Sequence, residues 1–117
     1  MKKAPKYKNT KVVVNGVEYD SKKEYARHCD LMLMERAGLI SNLQRQVKYE
    51  LIPTQRIDGK VVERPVHYIA DFVYTKDGGL VVEDVKDYRN PASAGYAKFV
   101  LKRKMMLHTY GIRITEI

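Results

Sequence analysis

The sequence has little cysteine and no long apolar run. Cys29 is the only cysteine among its 117 residues, so no disulfide can form within the chain, and this usage favours a reducing compartment. No segment approaches the roughly 18 consecutive apolar residues of a membrane span. The basic N-terminus also lacks the apolar stretch of a secretory signal. We therefore expect a cytoplasmic protein with no membrane attachment.

Acidic residues are outnumbered by basic ones. The chain has 22 lysines and arginines against 14 aspartates and glutamates, a formal charge of +8 and a pI near 9.6. This excess favours a polyanionic partner, nucleic acid first, and a basic surface that only aids solubility is the alternative. Five lysines lie in residues 1–11, which we interpret either as a flexible arm for phosphates or as a terminus without a role.

Residues 12–117 have the size and hydrophobic content of one globular domain. Asn15-Gly16 between β-forming residues predicts a short hairpin. Ser21 can then cap a helix that ends at Gly38. The sequence predicts that one face of this helix is mostly apolar and packs on the domain. The residues of that face are Tyr25, Cys29, Met32, Leu33 and Arg36.

The second half of the domain reads as strands followed by a helix and a last strand. Residues 43–51 alternate with odd positions inward, Arg45 being the exception. Residues 54–65 form a loop or a protruding hairpin around Asp58-Gly59, which could reach toward DNA or toward a partner subunit. A helix over 96–110 is closed by Gly111 and followed by a strand over 112–117. Its predicted buried stripe comprises Tyr96, Phe99, Val100, Met106, Leu107 and Tyr110.

The element order is therefore α, β, β, β, α, β after a small leading hairpin. Helices between groups of strands predict a central mixed sheet with helical cover, an α/β or α+β fold.

The stretch "YIADFVYTKDGGLVVEDVKD" (68–87) combines a hairpin pattern with charges inside its strands. With a turn centred on Asp77-Gly78, paired residue numbers sum to 155, so Asp71 lies opposite Asp84 with Cβ atoms about 4.5–5.5 Å apart. Lys86 points to the same face and Glu83 to the other. Aliphatic residues are expected to cover most of the face of Asp71. They are Ile69, Val73, Leu80 and Val82.

Two opposed carboxylates repel, and a divalent cation would resolve the conflict. Mg²⁺ prefers oxygen ligands and is commonly held by one or two carboxylates. A bound ion can activate water and neutralise charge on a phosphate, and a neighbouring lysine can position that water or stabilise the transition state. The alternative is an exposed edge hairpin with solvated charges.

The spacing Asp71, Asp84, Val85, Lys86 resembles the PD-(D/E)XK nuclease motif, and the element order matches the restriction-endonuclease-like core of that superfamily. Further blocks resemble a family of small phage and prophage endonucleases over about residues 19–117. These blocks are "SKKEYARH", "AGLISNLQRQVKYEL", "YIADFVY", "VVEDVKD" and "KRKMMLHTYGIRITEI". Two departures are Ala70, where a proline is usual, and an aspartate in place of the glutamate of the triplet.

The resemblance implies specific roles for residues. Asp71 and Asp84 would hold Mg²⁺, or Mn²⁺ in its place, with help from the Val85 carbonyl and Glu24, and Lys86 would act on the attacking water. For Glu24 there is a competing interpretation, because Ser21 and Glu24 have the spacing of a helix capping box.

Candidate DNA contacts surround this site. Gln46 lies on the strand face opposite the apolar residues, where some members of the superfamily place a polar residue near the metal, and a solvated glutamine is the alternative. Basic residues of the second helix and the preceding loop could hold the DNA backbone, or they could form a solvated surface. They are Tyr88, Arg89, Lys98, Lys102 and Arg103.

The resemblance thus implies a phage-encoded, Mg²⁺-dependent DNA endonuclease acting in the host cytoplasm at the nucleoid. A resolvase of Holliday junctions or other branched DNA would need two incisions and hence a homodimer. The alternatives are a nicking enzyme of phage replication or packaging, and a non-catalytic DNA-binding module on a nuclease fold.

Overall fold

The computed structural model describes residues 11–86, 90 and 92–117. The N-terminal arm, except Lys11, therefore lies outside the described residues. The elements in chain order are β1 (Val12–Val14), β2 (Val17–Tyr19), α1 (Lys22–Arg36), β3 (Ser41–Ile52), β4 (Gln55–Ile57), β5 (Lys60–Glu63), β6 (Val66–Lys76), β7 (Gly79–Asp84), α2 (Ala94–Tyr110) and β8 (Thr115–Glu116).

The central sheet has four strands in the order β3-β6-β7-β8. β3, β6 and β7 pair in antiparallel fashion, and β8 returns parallel to β7 after the crossover through α2. Two separate two-stranded sheets, β1-β2 and β4-β5, precede and interrupt this core. The predicted order of elements and the mixed sheet with helical cover are confirmed.

The three hairpins close with two-residue turns whose central residues have positive φ. This is the geometry of the type I′ turn, which Asn-Gly and Asp-Gly pairs favour. The turns are Asn15-Gly16 (φ +50° and +79°), Asp58-Gly59 (+52° and +77°) and Asp77-Gly78 (+50° and +78°). The third turn sets the β6-β7 register at Phe72 opposite Glu83 and Lys76 opposite Gly79, as predicted.

The two helices cover opposite faces of the sheet. One core cluster contains Phe99 of α2 with Val73 of β6, and the other contains Leu31 of α1 with Phe72 of β6. Because Phe72 and Val73 are consecutive strand residues, their side chains point to opposite sides. Each fully buried side chain of this size contributes roughly 1.5–3 kcal/mol to stability, so both layers hold the sheet.

At one point along β3 and β6, the alternation of side chains between the two sides of the sheet is shifted in both strands. Ala70 packs in the cluster with α2 whereas Phe72 packs in the cluster with α1, although alternate residues of a regular strand share a side. On β3 the same change falls at Gln46, whose φ of +52° lies in the left-handed region that non-glycine residues rarely adopt. The register of β3 against β6 puts Gln46 opposite Asp71, so the kink lies at the candidate site.

The predicted packing face of α1 is wrong. Leu33 is 59% exposed, whereas Glu24 and Leu31 are buried. The helix turns a mixed polar face toward the sheet because its inward charged groups find partners there, such as Arg27 on Glu83. Both ends of the helix are as predicted: Ser21 caps the first turn through its hydroxyl, and Gly38 follows the last turn with a φ of +78°.

The predicted stripe of α2 holds in its first half and fails in its last turn. Phe99 and Met106 are buried, and Tyr96 and Val100 pack against them. Outside this set, two predicted stripe residues are half-exposed: Leu107 at 50% and Tyr110 at 44%. Among the residues that the structure describes, no helix has both the length and the apolar character needed to cross a bilayer.

Candidate active site

Asp71 and Asp84 face each other at the open end of the β6-β7 hairpin. The observed register, with residue numbers summing to 155, places them opposite each other one step beyond the last paired residues. The backbone N–H of Val85 donates to Asp71 Oδ2 over 2.8 Å. β7 thus supplies one acid directly and also holds the other acid through its backbone.

Asp84 is held by two side chains. Its Oδ1 is 2.9 Å from the Lys86 ammonium, and its Oδ2 accepts a 2.6 Å hydrogen bond from the Tyr68 hydroxyl. Asp84 and Tyr68 are both buried. The Lys86 Nζ also lies 3.5 Å from the centre of the Phe99 ring, a cation–π contact that fixes the ammonium from a second side. Asp84 and Lys86 therefore form one positioned unit.

Asp71 is in an environment that disfavours its charge. Burial, and then the negative charge of Asp84, raise the pKa of Asp71 from its usual 3.8 to about 7, while the Val85 N–H opposes the shift. The neighbouring Glu24 carboxylate raises the pKa of Asp71 further. Perturbation by burial together with like charges is typical of functional sites.

Glu24 brings α1 to the same place. Its carboxylate accepts from Arg45 over 3.2 Å and contacts Asp71, while its backbone N–H donates to the Ser21 hydroxyl. The backbone of Glu24 thus completes the helix cap and its side chain points to the acids. Burial, followed by the charge of Asp20, raises the pKa of Glu24. Carboxylate oxygens of Asp20, Glu24 and Asp71 all lie within 4.8 Å of one another.

Gln46 donates from Nε2 to Asp71 Oδ1 over 3.3 Å. The side chain predicted to approach the site is therefore in contact with one of its acids. The contact depends on the left-handed backbone of Gln46, and strained conformations of this kind cluster at functional sites.

A lysine-lined groove leads away from Asp84 and Lys86. It has a volume of about 320 Å³, and Lys98, Lys102 and His67 line it with the two site residues. The aliphatic residues predicted to cover the face of Asp71 do so only in part. The prediction is wrong for Ile69, which is 49% exposed and lines the groove. The covering is also wrong at Leu80, 58% exposed, and right at Val73 and Val82, which are buried.

Arg103, another predicted DNA contact, lies away from this groove. Arg103 is held by Glu116 over 3.0 Å and lines a different pocket with Lys104 and Leu107. Tyr88 and Arg89, also predicted as DNA contacts, lie outside the described residues.

The charge on the opposite face of β7 is fully partnered. Glu83 is 1% exposed and accepts from Arg27 in a bidentate pair of 2.9 and 2.6 Å. Its Oε2 also accepts from the Tyr74 hydroxyl, and burial with this contact raises the pKa of Tyr74 to about 12. This arrangement ties α1 to the sheet.

Three residues of the site were not predicted from the sequence. Asp20 precedes the capping residue and carried no signal beyond its charge. Arg45 did carry a sequence signal, because a single charge on the inward face of an alternating strand needs a partner. The partner is Glu24. Tyr68 resembled an ordinary core residue, and only its hydroxyl on Asp84 gives it a role.

The donor set suits a hard divalent cation. The carboxylates of Asp20, Glu24 and Asp71 lie together and Asp84 faces Asp71 across the hairpin, while Arg45 contacts Glu24 and Lys86 contacts Asp84. Carboxylate oxygens are the ligands that Mg²⁺ prefers. Burial, and then neighbouring negative charge, raise the pKa of Asp71, and a cation would offset that charge.

A family model described as a protein of unknown function (DUF1064) matches residues 4–115, and the chain belongs to that family. No curated protein has a significant match to the chain. The description of the family assigns no activity, so the function is argued from the geometry of the site.

Proposed function

We propose that the chain is a Mg²⁺-dependent DNA endonuclease that hydrolyses phosphodiester bonds. The observations that carry this proposal are that Asp84 and Lys86 line the end of a groove with Lys98 and Lys102, and that Asp71 faces Asp84 across the hairpin. Acids at one end and lysines along the rest suit a substrate whose backbone is anionic and whose cleavage needs a cation.

The residues that would hold Mg²⁺ are Asp71 and Asp84, with Glu24 and the Val85 carbonyl. Asp20 joins this set because of its place beside Glu24 and Asp71. When bound, Mg²⁺ would lower the pKa of a water molecule and neutralise charge developing on the phosphate. Mn²⁺ accepts the same oxygen donors, so we expect it to substitute.

Lys86 would position the attacking water and stabilise the pentavalent phosphate. Its ammonium is already fixed by Asp84 and by the Phe99 ring, so little reorganisation is needed when charge develops. The Tyr68 hydroxyl orients the Asp84 carboxylate by donating to its Oδ2 atom. Gln46 and the Val85 N–H do the same for Asp71.

Lys98 and Lys102 would bind phosphates on one side of the cleaved bond. They lie one helical turn apart and line the same groove. Contacts to phosphates place a strand without reading its sequence, so the described groove supports a nuclease with little base preference.

The finer assignment to branched DNA rests on the resemblance to small phage endonucleases. A junction resolvase would act as a homodimer in the cytoplasm of the phage's bacterial host, because two strands must be cut. Nicking of unbranched DNA is the alternative activity of the same site.

The test is incubation of the purified protein with plasmid and with a synthetic four-way junction, in Mg²⁺ or in EDTA. We expect cleavage in Mg²⁺ only, and Lys86→Ala should reduce its rate by roughly 10²–10³-fold, the effect of losing one positioned donor. Lys104→Ala removes the same charge from an exposed position outside the groove and is the control. Cleavage that persists in EDTA, or that proceeds in Lys86→Ala at the rate of the Lys104→Ala control, would refute the mechanism.

Symmetric incisions at the junction would support the resolvase over a general nicking enzyme. DNA binding without cleavage in Mg²⁺ or Mn²⁺, together with tighter binding by Asp71→Asn, would instead identify a non-catalytic DNA-binding module.

A further inference from the structure

The β4-β5 hairpin stands apart from the rest of the domain. All residues of both its strands are exposed, and it forms a two-stranded sheet of its own. Pro53 and Pro65 flank it. Proline restricts φ and cannot donate to a ladder, so these residues end the β3-β6 pairing and stiffen the joint. The hairpin is therefore a pre-organised arm with no role in the described core.

Each face of this arm carries a cation paired with an exposed aliphatic side chain, and the arm also contains Val62 and two acids, Asp58 at its turn and Glu63 at its base. Arg56 pairs with Val61, and Ile57 pairs with Lys60, and paired residues of a ribbon share a face. Ile57 is 64% exposed and Val61 is 50% exposed. Exposed aliphatic residues next to cations on both faces favour a partner that surrounds the arm and offers negative charge on its rims.

The catalytic groove continues to the base of this arm. A second stretch of groove, about 390 Å³, shares His67, Lys98 and Lys102 with the first and is lined further along by Pro65 and Val66. Among the described residues that line the two stretches, Asp84 is the only acid. A strand bound at Lys86 and Lys98 is thereby directed toward the hairpin.

We infer that the β4-β5 hairpin is a DNA-binding ribbon that enters a groove of the duplex beyond the cleavage site. The inference rests on the proposed function for the class of partner. From Thr54 to the turn at Asp58 the arm is four residues long, about 13 Å at the rise of a β-strand. That length spans roughly four base pairs. The major groove of DNA is wide enough for a two-stranded ribbon.

A second copy of the chain fits the arm less well. An interface between copies is centred on a dry apolar patch from which charged residues are depleted, and here a cation lies beside the aliphatic residue on both faces. Arg56 and Lys60 would instead contact phosphates on the two rims of a DNA groove, while Ile57 and Val61 face bases and sugars.

The test measures DNA binding against salt concentration, in EDTA so that no cleavage occurs, with a linear 30-base-pair duplex. Each lost phosphate contact lowers the slope of log K against log salt by about one. We expect a loss of about one for Lys60→Ala and about two for Arg56→Ala/Lys60→Ala. Lys76→Ala is the matched control, since Lys76 is also exposed beside an Asp-Gly turn, and it should leave the slope unchanged.

Turnover in Mg²⁺ provides a second measurement. The double variant should raise KM at least several-fold and leave kcat at saturating DNA unchanged, because the hairpin does not touch the acids. Arg56→Gln/Lys60→Gln serves as a second variant that retains side-chain length if the alanine pair folds poorly.

The inference is overturned if the double variant has the same salt slope and KM as Lys76→Ala. It is also overturned if the variant turns a dimer into a monomer in sedimentation velocity with DNA binding unchanged, which would identify a second copy as the partner. A parent protein that binds with the expected slopes but never cleaves would refute the endonuclease and support the ribbon.

Discussion

Replacing Asp71 with asparagine should stabilise the metal-free protein while abolishing cleavage. In the folded chain this carboxylate is largely removed from water and lies beside Asp84 and Glu24. Asparagine has nearly the same shape, and its carbonyl oxygen can still accept the bond from Val85 N–H. Its amide can donate to Glu24 where the aspartate repels it. The substitution therefore removes an unfavourable charge and keeps the Val85 contact, while Gln46 must turn its amide oxygen toward the new amide group.

The size of the effect follows from the pKa of Asp71. A rise from 3.8 to about 7 is about three units, and at roughly 1.4 kcal/mol per unit the charged form costs ~4 kcal/mol in the folded protein. We expect Asp71→Asn to raise the free energy of unfolding by about 2–4 kcal/mol at pH 8. In a chain of this length that corresponds to an increase in Tm on the order of 10 °C.

The stabilisation by Asp71→Asn depends on pH. Because the pKa of Asp71 is higher in the folded state, the folded protein retains this proton after the unfolded chain has lost it. The contribution of Asp71 to stability is thus most favourable below about pH 4 and falls as pH rises to about 7. The difference between Asp71→Asn and the parent should therefore grow from pH 4 to pH 7 and then level off.

The assay is thermal unfolding in EDTA at several pH values, followed by circular dichroism. Asp77→Asn is the matched control, since it makes the same chemical change in the exposed turn of the same hairpin and should leave Tm nearly unchanged. Added Mg²⁺ at a hundred times Kd should raise the free energy of unfolding of the parent by about 2.7 kcal/mol, and hence its Tm, and should have little effect on Asp71→Asn. A lower Tm for Asp71→Asn at pH 8 would show that the acids are not in conflict and would refute this reasoning.

Two further predictions concern the residues that hold the acids of β7. Arg27→Met should lower the free energy of unfolding by about 3–5 kcal/mol in urea titrations, because it leaves the buried Glu83 carboxylate without its cation. Arg27→Met/Glu83→Leu should recover most of that loss, and failure to recover would show that Arg27 acts mainly through packing. Tyr68→Phe should cost about 1–3 kcal/mol and lower kcat for plasmid cleavage, whereas Tyr110→Phe, which loses a hydroxyl bonded to the Glu50 carbonyl, should leave kcat unchanged.

The β6-β7 hairpin could be predicted from sequence because its information is local. Asp77-Gly78 specifies a type I′ turn, and a two-residue turn fixes every pairing along both strands. The places of Asp71, Asp84 and Lys86 relative to one another follow from that register. The α1 face could not be predicted in this way, because periodicity counts apolar residues, and this helix buries Glu24 while leaving Leu33 in solvent.

The kink at Gln46 could not be predicted from the sequence pattern, for a different reason. The alternation of β3 is regular in sequence, with odd residues inward, and it predicts one face for Arg45 and Val47. The structure assigns Val47 to the α2 side and directs Arg45 to Glu24 of α1. A left-handed residue in the middle of a strand has no compositional signal when it is not glycine or asparagine, so only the partner strand reveals it.

Neighbouring residues of β7 provide an internal comparison that bears on function. Glu83 and Asp84 are both buried, yet Glu83 has a bidentate arginine and a tyrosine hydroxyl, so its charge is balanced within the fold. Asp84 instead faces Asp71, which lies beside Glu24 and Asp20, and among the described residues Lys86 pairs with Asp84 and Arg45 pairs with Glu24, whereas Asp71 has no cation in contact. A chain able to neutralise one buried acid so completely has the means to neutralise its neighbours. Local conflicts that persist in an otherwise consistent structure are expected at functional sites. A divalent cation would balance the negative charge that remains at this site.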